Sequence, residues 1–233
     1  ISPENIYNMD EKGIQLGVRK KVQTLVDHDQ RTLYLIENGL YELVTIIETI
    51  CTDRTALKPC VIFQAKCINL QWSQNNLCDA RYELGVIWLE KNFEPETIKC
   101  NCGSALHLLI SDRHNSHCTY CFIRYAANHN ILVVCLLSHT THALQPCNVG
   151  VFGPLASAWK VEVSQALPKY YISICKDNLL DYYHQALQHA MKLTTVISAA
   201  KVGIHPWNPD TFDPSFFAPS LNTTTEAAQP MPT

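Results

Sequence analysis

Apolar and polar positions along this chain fall into blocks that switch between a strand period and a helix period. Residues Asn5–Asp10 read as a strand, with Leu16-Gly17 and Val22–Val26 as its hairpin partner after a turn near Gly13. Tyr41–Cys51 is rich in β-branched residues and predicts a third strand; Asp53-Arg54-Thr55 then turns the chain into a short fourth one, Cys60–Lys66. Residues Asn69–Arg81 are polar and without period. Glu83–Asn92 is apolar at Leu84, Trp88 and Leu89, a helical spacing. Leu106–Ser111 and Ile131–Leu137 are short continuous apolar runs of the kind that form buried parallel strands. Between them Thr119–His129 predicts a helix with Phe122, Ile123 and Ala126 on one side. Gly150–Ala166 and Asn178–Ala200 read as further helices. Pro206, Pro209, Pro214 and Pro219 then interrupt regular structure, and the tail from Ser220 is low in large apolar residues and reads as disordered.

Antiparallel strands, then helix, strand, helix, strand and more helices predict an α/β fold with a mixed sheet. That is the order of a ribonuclease H-like domain with a helical C-terminal extension. The expected division is a core at 1–166, an extension at 167–213 and a loose tail at 214–233. In such a sheet the first strand lies beside the strand that follows the first helix, so two acids at their ends would converge. Those acids are Asp10, after Ile6-Tyr7-Asn8-Met9, and Asp112, after Leu108-Leu109-Ile110-Ser111. Strand-borne carboxylates can hold hard divalent cations for phosphoryl chemistry. Taken singly, each Asp serves as well to cap a turn, and Asp112 could be the N-cap of the next helix.

Composition changes this picture little. The chain has 233 residues, 47% of them hydrophobic, enough for a sizeable core, and no run approaches the length needed to cross a membrane. It begins at Ile1 without an initiator Met, which reads as a fragment or partial gene model. A net charge of −3 neither announces nor excludes a nucleic-acid partner. Eleven cysteines without a secretory leader read as reduced thiols, most of them small buried hydrophobes. Cys100-x-Cys102 and Cys118-x-x-Cys121, with His114, His117, His139 and His142 nearby, raise a structural zinc alternative, but the spacing suits it poorly. The histidines could position phosphate or water, or serve only as polar loop residues. Lys12 and Arg113 read as solvated loop charges or DNA-backbone contacts, and Trp88, Trp159 and Trp207 as core or core-rim residues.

Six segments in order then carry a resemblance: Tyr7–Gly13, Leu43–Glu48, Trp88–Thr97, Leu108–His117, Ser138–Pro146 and Val149–Leu155, with a weaker echo in Gly203–Pro209. Together they resemble the DDE superfamily endonuclease domain of pogo/Tigger/Fot-type transposases, which is related to centromere protein B, in a version like those of fungal genomes. The resemblance implies a ribonuclease H-like core, Mg²⁺ or Mn²⁺ as cofactor, DNA as partner and the nucleus as compartment. It implies cut-and-paste chemistry in which the cations activate water and then a DNA 3′-hydroxyl. It also implies helix-turn-helix modules on the N-terminal side, which this sequence does not include, and leaves homo-oligomerisation open. By motif position Asp10 is the first acid and Asp112 the second. The third falls on Asn148, 36 positions after Asp112 (148 − 112), and Arg113 stands where Gly is usual. An amide oxygen can still ligate a cation but brings no charge. The expected outcome is a transposase-derived domain with impaired chemistry; the alternative is a DNA-associated protein of the centromere protein B kind, retained without catalysis.

Overall fold

A computed structural model of the chain describes residues 1–16, 42–63, 85–101, 105–112, 114, 117–137, 140–170, 174–192 and 202–211. Five strands form one mixed sheet: β1 (Ile6–Gln15), β2 (Leu43–Cys51), β3 (Cys60–Phe63), β4 (His107–Ser111) and β5 (Ile131–Cys135), in the order β3-β2-β1-β4-β5. β1 pairs with β2 and β2 with β3 antiparallel; β1 pairs with β4 and β4 with β5 parallel. This is the α/β, ribonuclease H-like architecture that the element order predicts.

The helices follow from the same blocks. The first helical segment runs through α1 (Val86–Trp88), a π-helical turn (Leu89–Phe93) and α2 (Glu94–Asn101). α3 (Tyr120–Asn128) links β4 to β5. α4 (Thr141–Leu144) leads through a second π-helical turn (Cys147–Val151) into α5 (Phe152–Tyr170), and α6 (Leu179–Ala190) follows.

Strand alternation divides the core into two layers. On one face of the sheet Ile14, Val44, Ile46, Ile50 and Val61 pack against Val151, Phe152 and Leu155 of the π turn and α5, and Leu179, Leu180 and Tyr183 of α6. On the other, Tyr7, Met9, Ile47 and Leu109 pack against Trp88, Leu89, Phe93, Phe122 and Ala126. Met9, Leu109, Phe93 and Phe122 are fully buried. Each such side chain contributes roughly 1.5–3 kcal/mol by leaving water. α3 starts where Thr119 accepts a hydrogen bond from the Phe122 backbone N–H at 3.3 Å. Thr119→Ala is therefore expected to lower stability by about 1 kcal/mol, measurable by urea unfolding.

Several local expectations are corrected. β1 does not turn at Gly13: it runs on to Gln15, with Gly13 opposite Thr45 of β2. The partner of β1 is thus β2; Val22–Val26 lies outside the described residues, as do 69–81, 193–200 and the tail. Asp10 consequently sits within its strand rather than at its end. β5 is a sheet edge, not a strand buried on both faces, and Leu132 and Val134 are exposed. Ile123 faces solvent while Phe122 and Ala126 face the core. Trp88 is core and Trp159 half-buried, but Trp207 is 77% exposed.

Candidate metal and catalytic site

The parallel register sets the two acids side by side. Asn8 lies opposite Ile110, so two residues further along each strand Asp10 comes level with Asp112. Asp10 is buried, and its Oδ1 accepts the Glu11 backbone N–H at 2.8 Å. Burial pushes its carboxyl up to about 7, and the neighbouring Asp112 charge adds to the rise, against the backbone bond from Glu11. Two acids whose charges oppose one another in a partly buried niche make a place where a cation lowers the energy. Asp112 is half-buried and accepts the His114 backbone N–H at 3.1 Å, so it shapes the loop after β4. It is not the N-cap of α3; Thr119 is.

The third element is tied to the same strand by residues that sequence reasoning did not single out. Asn8 donates through its amide to Ile110 O at 3.0 Å, and its Oδ1 accepts the Cys147 backbone N–H at 2.8 Å. One buried side chain thus joins β1, β4 and the π turn. Gln145, fully buried, donates to Met9 O at 3.2 Å and to the Asp10 carboxylate. Asn148, on the π turn, donates through Nδ2 to Gln145 Oε1 at 3.0 Å. Gln145 therefore connects the first acid position to the third. π-helical turns cluster at functional sites, because the extra residue re-aims the side chains around it. Asn8 and Asp10 alternating with the apolar Tyr7 and Met9 of the other face were the available signal for Asn8. Nothing local pointed to Gln145, whose partner lies 136 residues away.

Across the strand, Glu11 points to the opposite layer and meets the loop after β4. His117 Nε2 lies 3.4 Å from Glu11 Oε1 and 3.8 Å from Asp112 Oδ1. His117 is buried against the Phe122 ring, and burial holds its imidazole below the usual range. Lys12 is not a loop charge: it lies in β1 with its ammonium 5.3 Å from the centre of the Phe152 ring. Arg113 and His139 lie outside the described residues; His142 is in α4 and exposed. The zinc alternative built on cysteines finds no support among the described residues. Cys118 and Cys121 are exposed, Cys51, Cys60 and Cys147 are buried, and the side chains of Cys100 and Cys102 lie outside the description. Burial pushes the Cys51 thiol up to about 12 and the Cys147 thiol well above its ordinary value, so both are inert.

The profile of the DDE superfamily endonuclease family matches residues 41–208, more than two-thirds of the chain. The chain belongs to that family. The matched span contains Asp112 and Asn148; Asp10 precedes it. Among curated proteins the DDE domain is 26% identical over 226 residues to the MFS-type transporter clz9 of Cochliobolus lunatus, covering 90% of this chain and 24% of that protein. It thus spans about a quarter of the length of that relative, whose name describes the whole. No helix among the described residues is long and apolar enough to cross a membrane.

Solved structures similar to the DDE domain include the Mos1 transposase paired-end complex with the left transposon end (TM-score 0.43, 15% identity, 85% of this chain and 56% of that one). The Mos1 mariner catalytic domain is similar at TM-score 0.41 and 13% identity, over 85% and 83% of the two chains. The Mos1 catalytic domain with Raltegravir and Mg stands at TM-score 0.43 and 12% identity, over 86% of each.

Proposed function

We propose that this DDE domain derives from a pogo/Tigger/Fot-type transposase of fungal kind, that it engages DNA in the nucleus, and that its metal-dependent phosphodiester chemistry is impaired at the third acid. The observation that carries the proposal is that the β1–β4 parallel register, Asn8 opposite Ile110, brings Asp10 of β1 level with Asp112 just past the end of β4, close enough for their charges to interact. The turn bearing Asn148 is tied to the same strand by Asn8 and Gln145. In this reading 1–166 is the catalytic core and 167–213 a helical extension.

Asp10 and Asp112 would hold Mg²⁺ or Mn²⁺; when bound, such cations activate the attacking oxygen and stabilise the leaving oxygen of an in-line displacement. The protein's part is to keep two carboxylates at fixed spacing. The Asp10 side chain is held by the Glu11 N–H and Gln145, and Asp112 by the His114 N–H. Asn148 offers an uncharged oxygen where a third carboxylate would offset cation charge. Its amide instead donates to Gln145. An ionised Asp at 148 could not donate that bond, which would leave its oxygens free to face a bound cation.

The test is Mn²⁺-dependent nicking of supercoiled plasmid by the natural chain beside its Asn148→Asp variant. Outer-shell changes at metal sites cost roughly 10–100-fold, and loss of a ligand charge costs at least that, so the variant should nick at least about 10–100-fold faster. Equal rates would contradict the proposal. The exposed, uncharged Asn148 favours one second reading, a non-catalytic DNA-associated protein of the centromere protein B type. DNA binding with no nicking by either chain would select it.

A further inference from the structure

Beside the acid pair lies a second cluster with a different donor chemistry. Strand alternation sends Asp10 to one layer and Glu11 to the other, where the loop after β4 brings His114 and His117 over it. One ligand atom from each of Glu11, His114 and His117 lies within 4.8 Å of the others. Tetrahedral bonds of roughly 2.0–2.1 Å place neighbouring ligand atoms about 3.3 Å apart. The His117 Nε2 to Glu11 Oε1 separation of 3.4 Å already meets that spacing. The two histidines are tied to each other and to the end of β4: the His117 backbone N–H donates to His114 O at 3.0 Å, and the His114 N–H to Asp112. The His114 and His117 rings stand 5.9 Å apart at 55° to one another, so they do not stack and can converge on one point.

We propose that Glu11, His114 and His117 form a transition-metal site, selective for Zn²⁺ or Co²⁺ over Mg²⁺, adjoining the acid pair on the other side of β1. Two imidazoles and one carboxylate are the donors that borderline cations prefer, whereas Mg²⁺ requires oxygen ligands. Burial is graded across the three: His117 is buried, Glu11 half-buried and His114 exposed. The site is therefore anchored on its inner side and open to solvent on its outer side, as three-ligand sites that keep a water or substrate position are. Asp112 Oδ1, 3.8 Å from His117 Nε2, is within reach as a fourth ligand and is the residue the two sites have in common. The competing explanation is an ordinary Glu11–His117 ion pair, which needs neither His114 nor a metal. The proposal does not depend on the acid pair being catalytic, and the two can fail separately.

The test is titration of the full chain with Co²⁺, followed by its visible d–d absorption. One Co²⁺ per chain is expected, displaced by equimolar Zn²⁺ but not by millimolar Mg²⁺. His114→Ala, an exposed position that leaves the core intact, should weaken binding at least about tenfold, and Glu11→Gln likewise. Asp10→Asn should leave it unchanged. Circular dichroism confirms that each variant is folded. Absence of a Co²⁺ band, or a band unaffected by His114→Ala and Glu11→Gln, would overturn the site. So would a thiolate charge-transfer band, which would assign the metal to cysteines. A band lost in Asp10→Asn but kept in His114→Ala would assign it to the acid pair.

Discussion

Introduced into the Asn148→Asp chain, Asp10→Asn is expected to reduce Mn²⁺-dependent nicking to background while raising the stability of the metal-free fold at pH 8. The two effects have one cause. Asp10 is buried beside Asp112, and its carboxyl is pushed from an ordinary 3.8 up to about 7. A folded-state value above the unfolded one means that the native protein holds the proton more tightly. The contribution is fully favourable below about pH 4 and is lost as pH rises through about 7. Above that, the fold carries a buried charge next to another, at a cost of as much as about 4 kcal/mol. Asn keeps the oxygen that accepts the Glu11 N–H and has nothing to ionise. The stability difference between variant and parent, measured by urea unfolding in EDTA, should therefore be near zero at pH 4, grow up to pH 7 and level off. A site that sacrifices stability for a negative charge is the common pattern of stability traded for function. If Asp10→Asn destabilised the metal-free fold at pH 8, Asp10 would be a structural residue and not a cation ligand.

The second large effect lies away from the acids. Glu48 of β2 is almost fully buried, and burial pushes its carboxyl up to about 7 although the Tyr183 hydroxyl donates to it. It borders a cavity of about 350 Å³ between the β2–β3 connection and α6, lined also by Lys58, His184 and Gln188. The sign is the same as for Asp10: stability is fully present below about pH 4.5 and lost as pH rises through about 7. Glu48→Gln accepts the same Tyr183 hydrogen bond and turns its N–H₂ toward the cavity. It should raise unfolding free energy at pH 8 by up to about 3 kcal/mol and leave it little changed at pH 4.5. Tyr183→Phe should do the reverse, removing the donor that favours the charged form and costing about 1–3 kcal/mol, most of it above pH 7. Urea titrations at the two pH values check both, and a pH-independent effect of Glu48→Gln would contradict the account.

What could be read from the sequence was set by local pattern. The apolar run before Asp112 ends where β4 ends, so that acid was placed correctly at its strand terminus. Asp10 was placed on the right strand but wrongly at its end, because Lys12 and Gly13 have weak strand propensity. Pairing with β2 over the full length of β1 overrides that propensity, as tertiary context commonly does in sheets. The continuous apolar run at Ile131–Leu137 gave no means of telling an edge strand from a central one. The adjacency of β1 and β4 followed from element order alone. The side chains that hold the site together did not: Asn8 bonds across 102 and 139 residues and Gln145 across 136, distances at which no periodicity carries information. His117 was noticed as a loop histidine, but its burial against Phe122 and its approach to Glu11 arise only once β1 and the β4 loop are neighbours.

In the proposed function Asp10 and Asp112 form one cation site. The most direct measurement is anomalous diffraction at the manganese edge from crystals of the Asn148→Asp chain grown with Mn²⁺. A peak bonded to carboxylate oxygens of both Asp10 and Asp112 is expected, with the residue at 148 turned toward it. Ordered carboxylates with no peak bonded to both would contradict it.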